Sequence, residues 1–196
     1  MCSNITTKFN IELSQLLIEN ISNKFTFDQL LFNGANINAQ NEKGWCVLFE
    51  FINLQKSELI EEYLDKGLNI HIRDAKGRNA LFWAIYSENI AAAKLLITLG
   101  IDTIIVRNEQ LGMMQYIIYK DDLLLFSELI NMGMSVNKKD LTYTVPLIYA
   151  VLYSKINFID YLITKGADKF LVDSLGNCAY SLAQELKDER VIKRLE

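Results

Sequence analysis

The chain has 196 residues, 51% of them hydrophobic and 22% charged, a composition that excludes collagen and disordered tracts and leaves one or two folded domains. Lys and Arg number 20 against 24 Asp and Glu, a net charge of -4, which has the wrong sign for holding a phosphate backbone, so no nucleic-acid partner is expected. A single histidine, His71, leaves little material for His-based acid–base chemistry or a metal site.

From the N-terminus, residues 10–19 and 26–33 carry helical apolar spacing, with Phe27, Leu30 and Leu31 placed to pack on the next helix pair. The segment has no basic n-region, and Glu12 and Glu19 interrupt its apolar residues, so no secretory signal is read there. Cys2, Cys46 and Cys178 are widely spaced and odd in number. They are expected to be reduced thiols of a cytoplasmic protein. The apolar runs at 101–106 and 123–126 are far too short to span a bilayer, so no membrane association is expected.

From residue 34 to the C-terminus a fixed period dominates the chain. Gly34, Gly67, Gly100, Gly133 and Gly166 are each 33 residues apart, and each comes after an apolar segment with helical spacing. Glycine in that place predicts a helix end, because it enters the left-handed region without the steric cost of a Cβ. Behind each glycine comes a polar, Gly- and Asp-rich stretch, such as 38–44, 73–77 and 172–176, which predicts a tight hairpin. Each period then holds two short helices, predicted at 46–54 and 56–65, 79–87 and 89–98, 112–120 and 122–131, 145–153 and 155–164, and 178–186 and 188–195. Helices this short are marginal alone in water, so they must stack on their neighbours.

A repeat of about 33 residues with a hairpin and two helices resembles the ankyrin family. In the unit from Gly67, the residues Asp74, Gly77, Leu81, Ala84, Leu95 and Leu96 match the family's turn, first-helix and second-helix positions. The resemblance implies an all-α solenoid over 1–196, with a capping helix pair at 1–33, units at 34–66, 67–99, 100–132 and 133–165, and a C-terminal capping unit at 166–196. The chain departs from the family in two ways. Pro146 alone keeps the signature proline, and Phe49, Phe82, Gln115, Ile148 and Ser181 replace the signature histidine. The unit from Gly100 has drifted furthest, with Arg107 and Gln110 where the turn Asp and Gly belong.

No phosphate loop, zinc-protease motif, nucleophile elbow or dinucleotide fingerprint is present, so no enzyme activity, catalytic residue, cofactor or metal is expected. Asp74, Asp140 and Asp173 recur once per repeat, which points to turn capping, and His71 is read as a hairpin residue. Trp83, Tyr116 and Tyr149 share one register position and serve either inter-repeat packing or recognition. The family resemblance implies that helix-edge positions face a concave groove and bind another protein. Those positions here are Trp45, Arg78 and Leu111 at the helix starts and Tyr86, Tyr119 and Tyr153 at or near the ends, joined by Arg73 and Lys76 of a basic hairpin. A monomer that binds a partner protein is therefore expected. The Lys-, Ile- and Asn-rich composition suggests a bacterium or a large virus, and a small ankyrin protein of that kind resembles an immunity protein neutralising a cognate toxin. The alternatives are an effector acting on host proteins and a self-associating scaffold.

Overall fold

A computed structural model of the chain describes residues 15–107 and 111–196. The predicted helix start at 10–14, Cys2 and Gln110 lie outside the described residues. Gly34, Gly67, Gly100, Gly133 and Gly166 all sit at positive φ, between 77° and 97°. At each, the glycine N–H donates three residues back and the next N–H donates five back, as in Gly67 to the Leu64 carbonyl and Leu68 to the Tyr63 carbonyl. That pair of bonds satisfies the last carbonyls of a helix and turns the chain out of it.

The chain divides into two compact units, Met1–Glu109 and Gln110–Glu196. In the first, α1 (helical at 15–19) and α2 (Lys24–Phe32) precede α3 (Val47–Asn53), α4 (Ser57–Leu64), α5 (Ala80–Tyr86), α6 (Ile90–Thr98) and the short strand β1 (Ile104–Val106). Helix α3 packs on α5 and α4 on α6, so first helices stack on first helices and second on second. The core between them holds Phe27, Phe51, Tyr63, Leu48, Leu81 and Ile85, all fully buried. Phe27 is edge-on to Tyr63 at 5.0 Å, and Phe51 stacks on Tyr63 at 5.7 Å.

The second unit contains β2 (Leu111–Gly112), α7 (Met113–Lys120), α8 (Leu123–Asn131), α9 (Pro146–Leu152), α10 (Ile156–Thr164), α11 (Ala179–Leu186) and α12 (Glu189–Leu195). Here α9 lies between α7 and α11, and α10 packs on α12. Phe126 of α8 meets Phe158 of α10 edge-on at 5.2 Å, both fully buried. Pro146 opens α9, where its missing N–H forfeits no intrahelical bond. Every predicted helix within the described residues is found within a residue or two of its predicted ends.

In four of the hairpins one short side chain accepts from the turn backbone. The Asp74 carboxylate accepts from the Lys76 and Arg78 N–H groups, Asp140 from Thr142 and Thr144, and Asp173 from Leu175 and Asn177. Asn41 does the same for Lys43 and Trp45. Each caps a turn with a short side chain that reaches its own backbone.

Ala84 has no exposed surface and sits in α5, between α3 and α6. Ala84→Leu is expected to overpack that contact and cost about 1–3 kcal/mol, measured by denaturant titration. A wild-type midpoint would place Ala84 away from the helix interface.

A second period of 33 has no single residue type. Gln55, Glu88, Asp121, Ser154 and Lys187 all take positive φ, between 52° and 64°, at the end of each first helix. A side chain there is strained, so Glu88→Gly is expected to stabilise the protein by about 0.5–1 kcal/mol, seen as a raised thermal midpoint.

Candidate functional site

In the first unit, α5 presents Phe82, Trp83 and Tyr86 along one edge. Trp45, in the hairpin before α3, lies edge-on to Trp83 with centroids 4.7 Å apart, and its indole N–H donates to a Glu50 carboxylate oxygen at 2.9 Å. Tyr86 stacks on Phe82 at 5.9 Å and meets Trp83 edge-on at 5.7 Å, yet 55% of its surface stays exposed. The Arg78 guanidinium lies over the Trp83 ring at 4.3 Å and the Phe82 ring at 5.1 Å. Its Nε donates to the buried Asp74 carboxylate at 2.6 Å. Arg78 is therefore held in place by an ion pair and is half-buried.

The neighbouring basic residues divide. Lys76 is exposed at the hairpin tip. Arg73 is drawn inward, donating to the carbonyls of Gly77 and Ile104 and to the Asp102 carboxylate at 2.6 Å. Its charge ties the hairpin to the start of the next repeat.

In the second unit, Leu111 is half-buried in β2. Tyr119 of α7 stacks on Tyr116 at 6.4 Å, meets Tyr153 edge-on at 5.7 Å and is 61% exposed. Tyr153 stacks on Tyr149, and its hydroxyl accepts from the Gln115 amide at 3.2 Å. Tyr149 is buried, and its hydroxyl donates to the Asp140 carboxylate. Burial and that carboxylate push its phenol up to about 12. The shared register of Trp83, Tyr116 and Tyr149 thus holds two half-buried rings and one buried one.

Among the described residues, no group of three or more His, Cys, Asp or Glu could hold a metal ion, and no helix is long and apolar enough to cross a membrane. His71 is exposed, and its backbone N–H donates to the Asn69 side chain. Cys46 is buried, which pushes its thiol up to about 11. The first unit offers a surface of aromatic and basic side chains at the α5 edge.

Residues 15–107 match the family model for ankyrin repeats, in three copies. Residues 15–107 are ankyrin repeats, and the chain shares the fold of ankyrin-repeat domains. Ankyrin repeats are protein-binding modules, generally without enzymatic activity. An ankyrin repeat protein of Acanthamoeba polyphaga mimivirus is 25% identical over 141 residues, 71% of this chain. This chain spans only 18% of that relative's length. Among solved structures, the ankyrin repeat domain of Bcl-3 matches with a TM-score of 0.74 at 21% identity, over 93% of this chain and 80% of that one. The Bd0816 predatory endopeptidase from Bdellovibrio bacteriovorus in complex with immunity protein Bd3460 matches with a TM-score of 0.66 at 23% identity, over 93% and 95%. The human ASB11 ankyrin repeat domain also matches with a TM-score of 0.66, at 16% identity, over 93% and 81%. At these identities the structural matches speak to the fold.

Counting in ankyrin register brings out one residue that a search for aromatics passes over. Tyr86 and Tyr119 are 33 apart, and the next step of 33 falls on Leu152, 46% exposed at the last residue of α9, rather than on the half-buried Tyr153. Strict counting from Tyr86 reaches it; selecting aromatics leads one residue away.

Proposed function

We propose that the chain acts without chemistry of its own, binding a partner protein along its first-helix edge, the surface that lines the concave groove in the family. The supporting observation is that each unit leaves large side chains in water at the same repeat position, Tyr86 in the first and Tyr119 and Leu152 in the second, the exposure and residue types of a contact surface. In the first unit Trp45 and Arg78 extend that edge, with Lys76 at the hairpin tip, and in the second Leu111 and Tyr153 do so. Arg73 supports the hairpin from behind. In this proposal the partner is a cognate toxin and the chain is its cytoplasmic immunity protein, monomeric when free. The likeness to a complex that contains an immunity protein supports that role.

The test is co-expression. A candidate toxin captured on the immobilised chain should lose its toxicity when the chain is produced with it in equal amount, and regain it when the chain carries Tyr86→Ala and Tyr119→Ala. Captured proteins that are not toxic, and that belong to a host cell, would favour the effector reading, which the mimivirus relative supports.

A further inference from the structure

Helix α2 leaves two phenylalanines in water. Phe25 is 71% exposed and Phe32 92%, and they lie seven residues apart, on one face of the helix. Counting on by 33 gives Glu58 and Ala91 for Phe25, and Asp65 and Thr98 for Phe32, all four exposed. These second-helix positions therefore face water throughout the first unit, and stacking does not require phenylalanine at either. The packing of α2 is made by Phe27 instead, which is fully buried against Phe51 and Tyr63. Two large rings left outside the core mark a contact surface.

Beside Phe32 an open groove is lined by Leu31, Ala35 and Ile37 on its apolar side and by Asp28 and Lys66 on its polar side. It has room for an apolar side chain next to the exposed ring.

The charges around the two rings have a definite sign. Lys24 pairs with Glu62 at 2.6 Å and Lys66 with Asp28 at 3.1 Å, and Lys56 donates to the Ser22 hydroxyl, so these lysines are engaged, and the two ion pairs hold α2 against α4. Glu58, Glu61 and Asp65 follow one another three and four residues apart along α4, are exposed and, among the described residues, are in no ion pair. Asp65 sits at the C-cap of α4, the negative end of the helix dipole, where a carboxylate is disfavoured. A row of free carboxylates on α4 thus runs beside the two phenylalanines of α2.

We propose that the outer face of α2 and α4 docks a basic amphipathic segment of another protein, one that lays apolar side chains on Phe25 and Phe32 and Lys or Arg side chains on Glu58, Glu61 and Asp65. One apolar side chain enters the groove beside Phe32. Charge decides the occupant, because an anionic membrane surface, which exposed rings alone would suit, is repelled by the row of carboxylates. The inference rests on the protein-binding reading but uses the second helices, away from Tyr86 and Trp45, so the two can fail separately.

The test uses the full chain and two helix-forming peptides with leucine along one face, one carrying arginine and the other glutamate at the remaining positions. The arginine peptide should bind, more weakly as salt is raised, and shift the amide resonances of 25–32 and 58–65, and the glutamate peptide should not bind. Phe25→Ser and Phe32→Ser should each weaken binding about tenfold at a wild-type thermal midpoint, since neither ring is packed. Asp65→Lys should weaken it too while the midpoint stays level or rises, an outcome that a purely structural aspartate cannot give. Tyr86→Ala should leave peptide binding unchanged. The proposal is overturned if the arginine peptide fails to bind, if Phe32→Ser binds it as wild type does, or if the glutamate peptide binds as well. It is equally overturned if vesicles of anionic lipid shift the same resonances, if a free peptide of residues 1–14 does so, or if sedimentation shows a dimer that Phe32→Ser dissolves. Peptide binding lost in Tyr86→Ala alone would overturn it and leave the helix-edge reading standing.

Discussion

Gly44→Ala is expected to destabilise the protein by about 3–5 kcal/mol, a large share of the stability of a domain this size. Gly44 has φ 73°, which already penalises a Cβ, and the Cβ would lie 2.5 Å from the Ala75 backbone nitrogen and 2.7 Å from the Asp74 Cα. Those atoms are backbone, and they are pinned, since the Ala75 N–H donates to the Lys43 carbonyl. The hairpins at 41–45 and 74–78 would have to part. Gly34→Ala provides the comparison, because Gly34 has φ 93° but nothing within 4 Å of its Cβ position. Its cost should be about 1–2 kcal/mol, from conformation alone. Equal losses in the two variants, measured by denaturant titration, would mean that the close approach of the hairpins contributes nothing.

Asp74→Ala should cost a similar amount, about 3–5 kcal/mol. The carboxylate is buried and accepts from the Lys76 N–H, the Arg78 N–H and the Arg78 guanidinium. Removing it leaves two turn donors and a half-buried cation unpaired, and frees Arg78 from its position over Trp83. Asp74→Asn keeps an oxygen for the backbone donors and should recover part of the stability while still losing the ion pair. A loss confined to Asp74→Ala, with Asp74→Asn at wild-type stability, would show that only the turn bonds matter.

Both sites show how much of the fold was legible in the sequence. The five glycines at 34, 67, 100, 133 and 166 were readable because the left-handed position selects one residue type, and so does the hairpin carboxylate at 74, 140 and 173. The left-handed residues at 55, 88, 121, 154 and 187 were not readable, since five different side chains tolerate the same strain and share no chemistry. The replacements for the signature histidine illustrate the same limit. Phe49, Phe82 and Ile148 are buried apolar, as the sequence suggests. Gln115 instead bonds the Tyr153 hydroxyl, and the Ser181 hydroxyl accepts from the Cys178 N–H at the start of α11. Neither bond is visible without the repeat geometry.

Less of the candidate site could be read. Arg73 and Arg78 look alike in the sequence, five residues apart in one basic hairpin, yet one guanidinium is enclosed among carbonyls and the other lies on an aromatic face. Residue type predicts that an arginine will find partners; it does not predict whether they are inside the fold. The exposed rings at 25 and 32 escape a reading of the sequence because apolar residues seven apart on a helix read as a buried face.

Binding through the helix edge is tested most directly by comparing Tyr86→Ala and Glu61→Ala against the captured partner, once both variants are shown to melt near wild type. Tyr86 lies at the end of a first helix and is exposed, whereas Glu61 lies on the second helix α4 and is also exposed. Tyr86→Ala should weaken binding by about 2 kcal/mol or more, and Glu61→Ala should leave the affinity unchanged. Wild-type affinity in Tyr86→Ala together with lost binding in Glu61→Ala would contradict helix-edge binding and place the partner on the second helices.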